Sequence, residues 1–182
     1  MLDSLAFVIA LIVIALIFDF LNGFHDSANS ISTVVSTRVL TPRQAVLWAA
    51  FFNFIAVFFV GTEVAHTVGK GIIHLDIVDN LVILSALGGA IIWNITTWYY
   101  GLPSSSSHAL IGGLIGAAVS KAGVSTLVWK GIIKTSLFIF ISPAIGMMLG
   151  FVFMIIAMNS SRHLNMAKSD KIFRKLQLLS AA

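Results

Sequence analysis

The sequence contains few charged residues. Asp, Glu, Lys and Arg make up 10% of its 182 residues, whereas 58% are hydrophobic, and the mean hydropathy is +1.00. A soluble domain carries about 25% charged residues. There are too few charges here to cover a water-facing surface, so the composition excludes an ordinary soluble domain and indicates a chain that lies mostly in a lipid bilayer.

Cysteine is absent and only three prolines are present. The absence of cysteine excludes disulfide bonds and gives no information on the redox compartment. The N-terminus also lacks the basic region and the small-residue cleavage site of a secretory signal peptide. We therefore expect the apolar segment from Leu5 onward to be retained as a membrane span.

Ser4 to Phe18 and Thr135 to Met158 are among the long runs that carry no charge. About 18 or more apolar residues are enough to cross a bilayer. The second run meets this length, and the first does so when it continues past Asp19 to Leu21. Both runs predict transmembrane helices.

The basic residues are concentrated late in the chain. The net charge is +4 with pI ≈ 9.7, but these residues form no folded basic patch, so we expect no binding of nucleic acid. Such clusters mark the cytoplasmic side of membrane proteins, which puts the tail in the cytoplasm and the N-terminus outside. Three lysines would then lie on the outer side, contrary to the preference of basic residues for the cytoplasmic side: Lys121, Lys130 and Lys134.

These signals predict an all-α, polytopic membrane protein. Residues 1–158 would form a membrane domain with spans at about 5–37, 44–66, 81–100, 104–120 and 135–158. Residues 159–182 would form a basic cytoplasmic linker. Asn22-Gly23 predicts a break in the first helix, and Thr41-Pro42 predicts the start of the second, with proline in the first helical position. Residues 81–119 fit either two full spans or one re-entrant hairpin.

A first polar cluster follows the first apolar run. Asp26, Asn29, Ser30 and Thr33 have the spacing i, i+3, i+4 and i+7, which places them on one face of a helix, and His25 is adjacent. Carboxylate, amide and hydroxyl oxygens suit Na⁺ or a proton rather than a soft metal. Ionisable groups inside a span are costly and usually functional. The alternative is a surface loop with ordinary capping residues.

A second polar cluster, Pro103 to Ser107, precedes the short glycine-rich stretch Ala109 to Val119. Proline cannot continue a helix and serine is a preferred N-cap, so a helix beginning here would direct free N–H groups and its positive dipole end at an anion. Discontinuous helices of this kind occur at transporter binding sites. The alternatives are a serine-rich surface turn, or a hydrolase pair of Ser104 and His108, although no third orienting group accompanies that pair.

The two clusters resemble the signatures of a known family. Asn22 to Ser30 (NGFHDSANS) is similar to the repeated GANDxAN signature of PiT-type inorganic phosphate transporters, in the GFHDxAN form of bacterial members. Trp98 to His108 (WYYGLPSSSSH) is similar to their GLPxSSSH signature. Two connecting segments, 40–45 and 69–73, fit as well, and the resemblance covers nearly the whole chain.

The resemblance implies an inverted-repeat transporter of the cytoplasmic membrane, with a broken first helix and a re-entrant or discontinuous helix pair. It implies secondary active transport of inorganic phosphate with H⁺ or Na⁺, no enzymatic activity, no metal site and no cofactor beyond the coupling ion. By the same resemblance, phosphate would be held by Ser104, Ser105, Ser106, Ser107 and Asn29, and the coupling ion by Asp26, His25, Asn29 and Thr33.

Two departures from the family pattern bear on the coupling ion. His25 stands where many members have Asn, and Asn53 stands where many have an intramembrane Glu. Loss of a carboxylate and gain of an imidazole favour proton coupling, or a metal–phosphate complex as substrate, over Na⁺.

A second copy of the aspartate motif is absent from the sequence. We therefore expect this chain to be the first half of the transporter, with the second repeat as its main partner, membrane lipid around it and a homodimer as a further assembly. Two other functions stay open at this point: an accessory half that binds no phosphate, and a transporter of a related oxyanion such as sulfate or arsenate.

Overall fold

The computed structural model describes residues 4–56, 58–59, 71–162 and 164–181, and these are mostly helical. This part of the chain contains no strand, apart from one isolated bridge between Ile73 and Leu127. The expected all-α class is confirmed. The α-helices are α1 (Leu5–Ser36), α2 (Pro42–Ala56), α3 (Asn80–Tyr99), α4 (Ser106–Ala122), α5 (Trp129–Ser161) and α6 (Met166–Ser180), with short 3-10 helices at Leu75–Ile77 and Val124–Thr126.

Helices α1, α3 and α5 are long and apolar enough to cross a membrane. They have 32, 20 and 33 residues, and at 1.5 Å per residue even α3 matches the roughly 30 Å hydrocarbon core. Large apolar side chains along α5 stay exposed in the chain, for example Phe140 and Met147. Such a surface is suited to lipid rather than to water.

The expected break in the first helix is wrong: α1 continues through Asn22-Gly23 to Ser36. A glycine costs a helix about 1 kcal/mol relative to alanine. That cost is small beside the cost of unpaired backbone groups in a bilayer, where each group must find its partner within the helix. The polar residues after Gly23 therefore extend α1 instead of starting a new helix.

Helix α2 begins as the sequence predicts, with Pro42 as its first residue. The side chain of Gln44 accepts hydrogen bonds from the Thr41 N–H (3.1 Å) and the Thr41 hydroxyl (2.9 Å). The Gln44 N–H in turn reaches Thr41 Oγ1 at 3.5 Å. This is a capping box, which fixes the start of the helix. The predicted end of this span at residue 66 lies outside the described residues.

The chain divides into two compact units, Met1–Asp26 with Gly61–Ile133, and Ser27–Val60 with Lys134–Ala182. In the first unit, Leu11 and Phe18 of α1 pack with Leu87 and Ala90 of α3. A second cluster closes the other end of this unit and consists of Ile72, Ile73, Val82, Ala118 and Leu127.

Helices α3 and α4 form an antiparallel hairpin in the first unit. The Lys121 ammonium at the end of α4 lies 2.7 Å from the carboxylate of Asp79, which caps the start of α3 by accepting from the Val82 N–H. The hydrogen bond from Lys121 lowers the pKa of Asp79. Midway along the hairpin, Gly113 packs against the backbone of Ala86. This contact leaves no room for a side chain on α4 at that point.

In the second unit, α6 packs on the turn between α1 and α2. The Thr37 hydroxyl lies 2.9 Å from Gln177 Oε1, Trp48 donates to the Leu178 carbonyl at 3.2 Å, and Arg174 reaches the Arg38 carbonyl at 3.4 Å. Much of the segment predicted as a linker is therefore an ordered helix.

Candidate functional site at the start of helix α4

The turn that ends α3 is a Schellman motif. Gly101 has φ +64°, which glycine adopts without strain, and its N–H donates to the Trp98 carbonyl at 3.1 Å. The Leu102 N–H donates to the Thr97 carbonyl at 2.8 Å. These two bonds are the 5→2 and 6→1 pair of the motif. Pro103 follows and prevents any return to helix, so the chain enters the serine segment in a fixed direction.

Ser105 is the N-cap of α4. Its backbone is extended (φ −107°, ψ 117°), and its hydroxyl oxygen accepts from the His108 N–H at 3.4 Å. A helix leaves its first N–H groups without intrahelical acceptors. Because the N-cap serves His108, the N–H groups of Ser106 and Ser107 remain to face another acceptor. The positive end of the α4 dipole lies at the same place.

The serine hydroxyls have different environments. Ser104 is exposed, and its oxygen accepts from Trp93 Nε1 at 3.2 Å. Ser106 is buried, with 3% of its surface exposed, and its hydroxyl finds no hydrogen-bond partner in the described part of the chain. Burying a hydroxyl in this state costs about 1–3 kcal/mol. Ser106 therefore has a donor and an acceptor available at the start of α4.

A groove of about 450 Å³ opens beside Ser104 and Ser105. Hydroxyl, indole and imidazole groups line it together with three glycines, and glycine lets backbone and ligand approach closely. Among the residues that the structure describes, no lysine, arginine or acidic side chain lines it. The lining residues are Gly89, Trp93, Ser104, Ser105, His108, Ala109, Gly112 and Gly113. Neutral donors around a helix N-terminus bind an anion without a fixed positive side chain.

The predicted ion-coupling residues all lie on α1. Because the helix is continuous, Asp26, Asn29 and Thr33 share one face, and all three are exposed, whereas His25 is half-buried. The ring of Phe24 meets Trp98 edge-on at 6.0 Å. Within the first unit, this contact places His25 and Asp26 beside the end of α3, from which the serine segment departs.

The predicted residues therefore fall into two groups. The first unit contains the serine segment, His25 and Asp26, whereas Asn29 and Thr33 belong to the second unit. Among the described residues, no three His, Cys, Asp or Glu side chains come together as a metal site.

Sequence reasoning missed two features of the site. It did not identify Trp93 as the partner that holds Ser104, and it assigned Asn94 no role at the site. Asn94 is fully buried, and neither polar atom of its amide finds a partner within the described residues. The available signal was an amide and an indole in the turns of α3 just before the serine motif.

The comparisons with known proteins agree with the resemblance. The profile of the phosphate transporter family matches residues 22–182. The chain is 54% identical over 181 residues to a probable low-affinity inorganic phosphate transporter of Rhizobium meliloti, covering 98% of this chain and 54% of that protein. A protein of the same description from Bacillus subtilis is 48% identical, with 96% and 53% covered.

A solved structure gives the same result at the level of the fold. The chain superposes on a sodium-dependent phosphate transporter with a TM-score of 0.77 and 31% identity, covering 88% of this chain and 42% of that one. The chain thus spans about half the length of the relatives and of the structure that it matches.

Proposed function

The chain belongs to the phosphate transporter family, and from this premise we propose that it supplies one half of a secondary active transporter of inorganic phosphate, with the start of α4 as its phosphate site. As a member of this family with three membrane-length apolar helices, it is an integral, multi-pass protein of the cell membrane. The names of its relatives describe transport proteins rather than enzymes.

The observation that carries the proposal is the buried Ser106 hydroxyl without a partner, next to two N–H groups at a helix N-terminus. A bound phosphate would accept from both N–H groups and from Ser106. It would also relieve the cost of burying that hydroxyl unbonded. Charge-assisted bonds to a preformed set of donors are strong and need little rearrangement.

The remaining serines would shape the site in different ways. The hydroxyl oxygen of Ser105 accepts from the His108 N–H as the N-cap, and that of Ser104 accepts from Trp93. Each hydroxyl still has its own proton to donate. Ser107 is exposed beside them. Asn29, on α1 in the second unit, stays a predicted further ligand of phosphate.

We assign the coupling ion to the polar face of α1. Asp26 would carry the charge, with Asn29 and Thr33 as further oxygen ligands for Na⁺ or as partners in a proton path. His25 brings an imidazole to α1, and Asn53 supplies no carboxylate, so we favour H⁺, with a metal–phosphate complex as an alternative substrate. Uptake that requires Na⁺ and ignores a pH gradient would contradict this assignment.

Residues 1–158 would form the first repeat in the membrane, and 159–182 the basic segment on its cytoplasmic side. The partner of this half would be a second, inverted repeat, and a homodimer is a further assembly that fits the proposal. Each repeat would bring one aspartate motif and one serine segment to the shared site.

Uptake of radiolabelled phosphate by the full-length transporter tests the site. We expect S106A to lower the kcat/KM of uptake by at least tenfold, since it removes one charge-assisted hydrogen bond to the anion. The matched control is S120A, which changes an exposed serine in the last turns of the same helix. Equal uptake by S106A and S120A would contradict the proposed site.

The same assay separates the other two functions. An accessory half without a site predicts that both S106A and D26N transport normally. A transporter of another oxyanion predicts that sulfate competes with phosphate at equal concentration. Phosphate carries a proton that it can donate and sulfate does not, so a serine oxygen that accepts this proton would favour phosphate.

A further inference from the structure

Helix α6 has one side turned toward the protein. Phe173 and Gln177, one turn apart, are half-buried, and Gln177, Leu178 and Arg174 make the hydrogen bonds to the α1–α2 turn and to α2 described above. The acidic residue of this helix, Asp170, is paired with Arg174 at 3.4 Å. This side of α6 is accounted for by contacts within the second unit.

A different side of α6 exposes an apolar row. Ile172, Leu176 and Leu179 follow the spacing i, i+4 and i+7, which places them on one face of the helix. Their exposed fractions are 43%, 51% and 73%. Three large apolar side chains in a row are not expected on a surface that faces only water.

A row of lysines lies next to the apolar row. Lys168, Lys171 and Lys175 have the spacing i, i+3 and i+7, and all three are exposed. At about 100° per residue, Lys168 and Lys175 fall within roughly 40° of Leu179 around the helix axis. A helix with an apolar face bordered by lysines is typical of the membrane interface, where the apolar side chains enter the acyl boundary and the ammonium groups reach lipid phosphates.

The position of α6 in the chain gives an independent indication. Helix α5 is free of charge from Thr135 to Met158 and ends at Ser161, and α6 begins at Met166. A helix that starts within a few residues of the end of a membrane span lies at the membrane surface. The hydrogen bond from Arg174 to the Arg38 carbonyl holds α6 next to the C-terminal end of α1.

We propose that α6 is an interfacial helix that binds anionic phospholipid, with Ile172, Leu176 and Leu179 in the acyl boundary and Lys168, Lys171 and Lys175 on the headgroup phosphates. Its docked side ties this lipid contact to the turn between α1 and α2. The proposal is independent of the phosphate site at α4. A neutral lipid surface would accommodate the apolar row but would leave the lysines without counter-charges. On an anionic surface, each lysine increases the membrane-binding constant about fivefold.

The absence of cysteine makes a direct test possible. The full chain carrying L176C is spin-labelled and reconstituted in vesicles of phosphatidylcholine alone or with phosphatidylglycerol. Collision of the label with oxygen, which concentrates in lipid, is compared with collision with a water-soluble nickel complex. In the anionic vesicles we expect the label to collide more with oxygen than with the nickel complex. Adding K168Q/K171Q/K175Q should lower the ratio of these two collision rates severalfold.

The matched control is K130Q/K134Q, which removes lysine charge from α5 and should leave the ratio unchanged. Three results would overturn the proposal. A label open to nickel in both vesicle types would place the row in water. A label shielded from both reagents would mean that protein covers it, as in contact with a second copy of the chain. Equal immersion in neutral and anionic vesicles, unaffected by the lysine changes, would exclude recognition of anionic lipid.

Discussion

Gly113 lies closer to the facing helix than the other glycines of the α3–α4 hairpin, whose loop carries the proposed phosphate site. A Cβ at this position would lie against the carbonyl oxygen of Ala86, 3.2 Å from its carbonyl carbon and 3.3 Å from its Cα. These are backbone atoms of a helix, so they cannot rotate away as a side chain would. G113A therefore forces α3 and α4 apart or tilts them.

The size of the effect follows from comparing G113A with G116A, one turn further along α4. A Cβ at Gly116 meets nothing within 4 Å. Both substitutions gain about 1 kcal/mol of helix propensity, and only G113A adds overpacking, which costs about 1–3 kcal/mol. We expect G113A to be less stable than G116A by about 1–3 kcal/mol, or roughly 5- to 150-fold in the unfolding equilibrium constant.

The assay is unfolding of the purified chain in detergent micelles, with helix content followed by circular dichroism during a denaturant titration. G116A should be at least as stable as the wild type, and G113A clearly less so. Because the strain reaches the loop through α4, G113A should also weaken phosphate uptake by the full-length transporter. Equal stability of the two variants would show that the helices do not approach each other at Gly113.

Further predictions concern the ends of the hairpin. S105A should cost about 1 kcal/mol of stability by removing the N-cap, whereas S105T should retain it, as a thermal unfolding scan would show. Because Lys121 lowers the pKa of Asp79, the carboxylate should stabilise the chain fully above the ordinary carboxyl pKa and lose this effect as the pH falls through the lowered value. D79N, which keeps the cap, should therefore abolish that acid-side loss in unfolding titrations, and an unchanged pH profile would refute the ion pair. W93F should raise the KM for phosphate severalfold with little change in kcat, since it removes the donor to the loop, whereas W98F should not; equal KM values would contradict a positioning role for Trp93.

The features that sequence reasoning predicted correctly are local. Pro42 at the start of α2 and the helix that begins after Ser105 both follow from the backbone chemistry of single residues. The membrane-length helices follow from composition alone. Such features need no knowledge of which helix packs against which.

The errors arise where longer-range context overrides a local signal. Asn22-Gly23 is a plausible helix end in water, but the need to pair backbone groups in lipid keeps α1 continuous through this pair. The hydrogen bond from Trp93 to Ser104 depends on the direction in which Trp93 projects from α3 relative to the loop. The separation of eleven residues in the sequence does not determine this direction. The docked helix α6 was hidden because its sequence is polar on average, and its apolar row becomes visible only once helical spacing is assumed.

The central claim, that phosphate is held at the start of α4, is tested most directly by a distance between nuclei. Solid-state NMR can measure dipolar coupling between the ³¹P of bound phosphate and ¹⁵N in the backbone amides of Ser106 and Ser107, in the full-length transporter reconstituted in lipid. We expect a phosphorus–nitrogen distance of about 4 Å, one N–H···O hydrogen bond plus one P–O bond, and loss of this coupling in S106A. Bound phosphate with no coupling to either amide would contradict it.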